Sequence, residues 1–141
     1  MPAPDYYRRD QQDGVTAPDL SKTCFYAEHI VRARGKRTQY TSVSLDPERI
    51  ADFGPALYAV LRDRVQAEEH VLVEHDDLLR HLRLIAERQT KAERARAIQA
   101  LRYARLRLEG LVEWRSNPSG VERKDLIAWA HRHIQEFFHK A

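Results

Sequence analysis

Hydrophobic and polar positions divide the chain into segments of different period. The run Cys24-Phe25-Tyr26-Ala27-Glu28-His29-Ile30-Val31 is rich in aromatic and β-branched residues, as is Thr38-Gln39-Tyr40-Thr41-Ser42-Val43-Ser44-Leu45. Arg32-Ala33-Arg34-Gly35-Lys36-Arg37 lies between them, and Gly35 can supply a turn's positive φ, so residues 23–45 are expected as a β-hairpin with a cationic tip. Asp46-Pro47 is a helix start, with Asp as cap and Pro in the first turn. From Pro55 to Arg88 the residues Leu57, Val60, Leu61, Val71, Leu72, Leu78, Leu79, Leu82 and Ile85 share a band about 120° wide at helical spacing. That spacing predicts one long helix, with the run Val73–Asp77 as the place for a break.

Thr90 is a candidate N-cap with Glu93 as its capping-box partner. It opens a helix with a spine of Ala97, Leu101, Ala104 and Leu108, and Gly110 is expected just past its end. Leu111-Val112-Glu113-Trp114 alternates like a short strand, and Asn117-Pro118-Ser119-Gly120 is a turn. A final helix buries Leu126, Ile127, Ala130, Ile134, Phe137 and Phe138. Met1–Asp19, with three prolines, one glycine and little apolar periodicity, reads as a flexible or loosely docked arm. The expected organisation is an arm over 1–20 and one domain over 21–141.

Charge changes this picture more than composition does. The net charge of the 141 residues is only +3. It is segregated, however: residues 22–45 carry +4, residues 46–87 carry −5 and residues 88–108 carry +6. Between Arg94 and Leu108 there are five arginines, Arg94, Arg96, Arg102, Arg105 and Arg107, and no acidic residue. Like charges three or four apart on a helix repel, so such a run calls for an anionic partner. One partner is the acidic 46–87 segment of the same chain, with Arg94 and Arg105 best placed to reach it. The other is nucleic acid, which the rest of the helix suits. Arg96, Gln99, Tyr103 and Arg107 fall on one stripe opposite the spine, with Arg102 at its edge. Arg reads guanine edges, Gln reads adenine, and Arg or Tyr reaches phosphates, all within a major groove that admits one helix.

The sequence Leu106-Arg107-Leu108-Glu109-Gly110-Leu111-Val112-Glu113-Trp114-Arg115 resembles the junction between recognition helix and wing in winged helix-turn-helix regulators, and the resemblance extends over about residues 78–125. It implies that Leu78–Arg88 is the supporting helix, Gln89-Thr90-Lys91 the turn, and Ser116–Gly120 the tip of the wing. It further implies phosphate contacts from Arg115, Arg123 and Lys124, beside Arg34, Lys36 and Arg37 on the hairpin tip. Three departures stand: the candidate recognition helix is long, the turn before it lacks glycine, and Val121–Lys124 reads equally as a helix start.

Other chemistry is thinner. A regular helix would align His70, Glu74, Asp77 and His81 on one face, where a pair could hold a divalent metal, but that face is opposite the apolar band and solvent is the default partner. Arg64 and His70 match the loose Arg-x5-His spacing of HEPN-type ribonucleases, yet would point about 120° apart on a helix. No phosphate-cradling Gly-rich loop and no nucleophile elbow is present, so no enzyme and no cofactor is expected. A lone Cys24 excludes an internal disulfide and a Cys-based zinc site. No signal layout or 18-residue apolar run occurs, so a cytoplasmic protein away from membranes is expected.

The expectation is therefore an α+β, mostly α-helical chain: an N-terminal β-hairpin followed by a helical, winged-helix-like part. The function expected is binding of duplex DNA, with RNA as a variant, by a small regulator of the transcriptional or plasmid and phage type. Two-fold pairing would use the long helix or the end carrying Phe137 and Phe138 as its seam. The alternative is a helical adaptor or inhibitor that binds another protein.

Overall fold

The computed structural model describes residues 6–32, 36–60, 62–68, 70–88, 90–114 and 121–140. Its elements are β1 (Tyr6–Asp10), α1 (Tyr26–Val31), β2 (Tyr40–Ser44), a 3-10 helix (Pro47–Phe53), β3 (Ala56–Val60), α2 (Arg62–Ala67), β4 (Val71–Val73), α3 (His75–Arg88), α4 (Lys91–Arg107), β5 (Glu109–Glu113), a 3-10 turn (Arg123–Asp125), α5 (Leu126–Ile134), a second 3-10 turn (Gln135–Phe137) and β6 (His139–Lys140). The strands form one six-stranded sheet in the order β4-β5-β2-β1-β3-β6, and every pairing is antiparallel.

This architecture overturns the expected fold of a hairpin followed by a winged-helix-like part. The sheet is central and its strands are interleaved with the helices. Residues 26–31 form α1 despite their β propensity, because Ala27 and Ile30 reach α3 and α4 from one helical face. The expected 55–88 helix is instead β3, α2, β4 and α3. Both periods fit its scattered apolar residues, and the sheet chose period two for Ala56, Tyr58 and Val60, which are buried. The segment read as an arm supplies β1, which lies between β2 and β3. Val15, Ala17 and Leu20 from the same segment join the core.

The wing is overturned by pairing. β5 exists, as the alternation of 111–114 indicated, but it pairs with β2 on one side and β4 on the other (Thr41 opposite Val112, Leu72 opposite Val112). Among the described residues nothing from 121–124 adds to it: Arg123–Asp125 is a 3-10 turn. The expected wing tip and Arg115 lie outside the described residues.

Two cores cover the sheet. On one side Ala27 and Ile30 of α1, Leu78, Leu79 and Leu82 of α3, and Ala100, Leu101 and Ala104 of α4 pack with Tyr40 and Leu111. On the other, Val43, Val112 and Trp114 pack with Ala130, Ile134, Phe137 and Phe138. β2 is buried along its whole length as a result. Phe137 and Phe138 are 1% and 5% exposed within the chain's own core, which removes them as a pairing seam. The other expected seam, the 55–88 helix, does not exist.

Two of the expected caps are formed. Thr90 Oγ1 accepts from Glu93 N (3.4 Å), and Asp46 Oδ1 accepts from Glu48 N (3.0 Å). The end of α4 differs. Leu108, not Gly110, takes the left-handed conformation (φ 48°, ψ 48°). Gly110 lies within β5 for another reason: a Cβ there would sit 2.8 Å from Tyr6 Cε1 and 3.0 Å from the Val73 carbonyl oxygen. The glycine admits the Tyr6 ring, whose hydroxyl donates to Glu74 Oε1 and accepts from His75 N. Burial pushes that hydroxyl's pKa up to about 12.

Candidate anion-binding site

Two groups of cations adjoin at Arg32 and Lys36, which line both a groove beside Arg96 and a cavity beside Arg107. The first is the outward face of α4. Lys91, Arg94, Arg96, Arg102 and Arg105 are exposed, while Ala97, Ala100, Leu101 and Ala104 are buried against α1 and α3. Among the described residues none of these five cations pairs with a carboxylate, so Arg94 and Arg105 do not reach the acidic segment. Gln99 and Tyr103 are bonded to each other (3.3 Å), and Tyr103 is half-buried. Arg96 shares a shallow groove with Lys22, Arg32, Lys36 and Arg37, so α4 continues into the segment before β2. Lys36 and Arg37 are both exposed.

Arg107, the fifth residue of the expected reading face, belongs to the second group. It turns inward, with its guanidinium 5.1 Å from the centres of both the Tyr103 and Phe53 rings. Phe53 also receives Arg8 at 5.0 Å. Arg8, Arg32, Lys36 and Arg107 line one cavity of about 490 Å³ together with Gln11, Thr16, Ile30, Asp52, Phe53 and Gly54. Gly54 is required where the 3-10 helix meets β1, since a Cβ there would lie 2.5 Å from the Asp10 carbonyl oxygen.

Behind these arginines is a buried polar chain. Ser42 Oγ donates to Glu109 Oε2 (2.9 Å). A hydroxyl has one proton, so the 2.8 Å contact between His29 Nε2 and Ser42 Oγ has the imidazole as donor. His29 Nδ1 then accepts from the Thr38 hydroxyl. Burial, and then Arg32, Arg8 and Arg107, hold the His29 pKa well below its ordinary value, so the ring is neutral. Burial raises the Glu109 pKa, opposed by Arg107, Ser42, Arg32 and Arg8. Glu109 is 1% exposed, and among the described residues its Oε1 has no hydrogen-bond partner. The nearest cation is Arg107 Nη1 at 3.7 Å.

The arginines are satisfied unequally. Arg8 binds Asp10 Oδ2 (3.0 Å), whose carboxylate also takes Thr16 N, Thr16 Oγ1 and Gln11 N, and it donates to the Ser42 carbonyl. Arg32 donates to the carbonyls of His29 (2.5 Å) and Lys36 (2.8 Å) and pairs with no carboxylate among the described residues. Its pKa is lowered by burial, and repulsion from Arg8 and Arg107 outlines the same strain, only partly offset by Glu109. The cavity lining thus carries four cations, Arg8, Arg32, Lys36 and Arg107, against one carboxylate, Asp52, while the buried Asp10 and Glu109 face Arg8 and Arg107 from within the fold.

The remaining expected site residues divide as follows. Lys124 is exposed and lies 3.4 Å from Glu122. Arg34 and Arg115, and the Arg123 side chain, lie outside the described residues. The metal face dissolves: His70 is buried against Trp114 and Phe137 with its Nε2 3.1 Å from His133 Nε2, whereas Glu74 is held by Arg62 and Tyr6. Sequence reasoning missed Arg8, Arg32 and the Ser42–Glu109 pair. Nothing in their local pattern marks them, because strand pairing alone brings residues 8, 42 and 109 together.

The chain matches no protein-family model, no curated protein and no solved structure. The site therefore rests on its own geometry. No helix among the described residues is long and apolar enough to cross a membrane.

Proposed function

We propose that the protein binds nucleic acid, duplex DNA in the first instance, with the outward face of α4. The observation that carries this reading is the set of five exposed cations, Lys91, Arg94, Arg96, Arg102 and Arg105, none with an acidic partner among the described residues. A phosphate backbone supplies the counter-charge that the fold withholds, and release of its condensed cations drives association. Lys36 and Arg37 extend the contact beyond Arg96. The proposed contact is chiefly to phosphates, since Gln99 and Tyr103 satisfy each other and Arg107 faces inward. Two-fold pairing on DNA would leave α4 outward in each copy.

The test is fluorescence anisotropy of a labelled random duplex titrated across a salt series, with single-stranded RNA of equal length as the comparison. The expected result is a log–log salt slope of about 0.9 per phosphate neutralised for duplex DNA. Absence of binding to either polymer at low salt removes the reading.

A further inference from the structure

We propose that the cavity between β1, the end of α1, the Pro47–Phe53 turn and the end of α4 binds a nucleotide through its phosphate groups. The cavity shares Lys36 with the surface proposed for nucleic acid but none of the exposed cations of α4 itself, so the two can be tested apart. Arg8, Arg32 with Lys36, and Arg107 converge on the cavity from three separate parts of the chain. Arg8 is held by Asp10 and the Ser42 carbonyl, whereas Arg32, Lys36 and Arg107 keep donors that no described carboxylate takes up. Arg32 bonds to the His29 and Lys36 carbonyls, with its Nη1 also 3.3 Å from His29 Nε2, and meets no carboxylate among the described residues; Lys36 has no side-chain partner among them. The nearest carboxylate oxygen to Arg107 is at 3.7 Å, beyond hydrogen-bond range. The Arg8 and Arg107 guanidinium groups both rest on the Phe53 ring, 5.0 and 5.1 Å from its centre. A preformed set of like charges of this kind is stabilised by an anion with several oxygens, which guanidinium forks recognise in pairs.

Size and the remaining lining select among anions. A cavity of about 490 Å³ exceeds what a single inorganic ion fills and lies in the ~300–1,000 Å³ range of small-molecule sites. Its lining also includes acceptors, the Asp52 carboxylate and the Gln11 amide, beside the apolar Ile30 and Phe53. An exposed carboxylate is a liability toward a bare polyphosphate. Toward a nucleotide it is a ribose-hydroxyl acceptor, so this mixed lining favours a nucleotide over pyrophosphate.

The test is isothermal titration of the full chain with ADP, adenosine, pyrophosphate and a 5′-phosphorylated oligonucleotide. Saturable binding of ADP, with adenosine and pyrophosphate both weaker, is expected; no saturable binding of ADP overturns the proposal. Tighter binding of pyrophosphate than of ADP assigns a phosphate site and also overturns it, and preference for the oligonucleotide assigns the site to a strand end instead. Lys36→Gln, at an exposed position that does not endanger folding, should weaken ADP about tenfold, as expected for loss of one charge-assisted bond. Asp52→Asn, also exposed, should tighten pyrophosphate and weaken ADP, and tightening of both would remove the ribose contact and with it the nucleotide. Arg102→Ala should alter DNA binding and leave ADP unchanged, which separates failure of this site from failure of the α4 surface.

Discussion

The outward arginines of α4 and the arginines around the cavity carry the same charge and are held in opposite ways. Arg94, Arg96, Arg102 and Arg105 project from one regular helix into solvent and meet no partner among the described residues. Arg8, Arg32 and Arg107 come from a strand, a helix end and another helix end, and are fixed by Asp10, by backbone carbonyls and by the rings of Phe53 and Tyr103. Water solvates the first set at little cost. The second set is partly removed from water and needs compensating contacts built into the fold. One helix contributes to both, since Arg107 follows Arg105 by two residues, about 200° around the helix. The lesson is that charge on a helix says nothing of its use until its neighbours are known.

The comparison breaks most readily at its buried end. Glu109→Ala removes the carboxylate behind three arginines and leaves Ser42 without its acceptor. A loss of about 3 kcal/mol in urea unfolding is expected, and a loss below about 0.5 kcal/mol would show that the cluster needs no counter-charge. At the exposed end, Arg96→Glu with Arg102→Glu should lower affinity for duplex DNA by about two orders of magnitude at low salt, through lost phosphate contacts and added repulsion. Its midpoint of unfolding should stay within about 0.5 kcal/mol of the parent, as for ordinary surface changes. A large loss of stability in that double variant would place these arginines in the structural set.

Proton linkage sharpens the contrast. The folded-state pKa of His29 is depressed, so its contribution to stability is present above the ordinary pKa of 6.5 and is lost as pH falls below it. Glu109 runs the other way. Its folded-state pKa is raised, so its contribution is complete below the ordinary 4.5 and is lost as pH rises through the folded value. His29→Gln should therefore make the stability measured by urea fall less, or rise more, between pH 7.5 and 5 than in the parent. Glu109→Gln should do the reverse, removing the component that opposes that of His29. The smallest effect expected is Arg102→Ala, which should reduce the DNA salt slope by about one and leave stability unchanged. Identical pH profiles for His29→Gln and the parent would mean that the ring is not held neutral.

What was legible in the sequence was local. Thr90 and Asp46 act as caps because a side-chain oxygen reaches an amide two or three residues on, whatever the rest of the chain does. α4 and its buried Ala97, Leu101 and Ala104 follow from period alone, as does the strand at 111–113, but period also put Arg107 on the outward stripe and Arg94 and Arg105 toward the acidic segment, whereas the structure turns Arg107 inward and leaves the other two in solvent. The hairpin over 23–45 and the helix over 55–88 failed where local preference and tertiary pairing conflicted. Tyr26–Val31 has the residues of a strand but meets two helices, and Ala56–Val60 fits either period but lies between two strands.

Segregated charge, the caps and the extent of α4 follow from the amino-acid order alone, because each depends on neighbours within one or two turns. Only the tertiary structure decided that Tyr6–Asp10 is a central strand, that Gly110 makes room for Tyr6, and that Arg8, Arg32 and Arg107 surround one cavity above Ser42 and Glu109. The physical reason is range. Residues 8, 42 and 109 meet through hydrogen bonds between strands far apart in the chain, and no local propensity encodes which strands will pair.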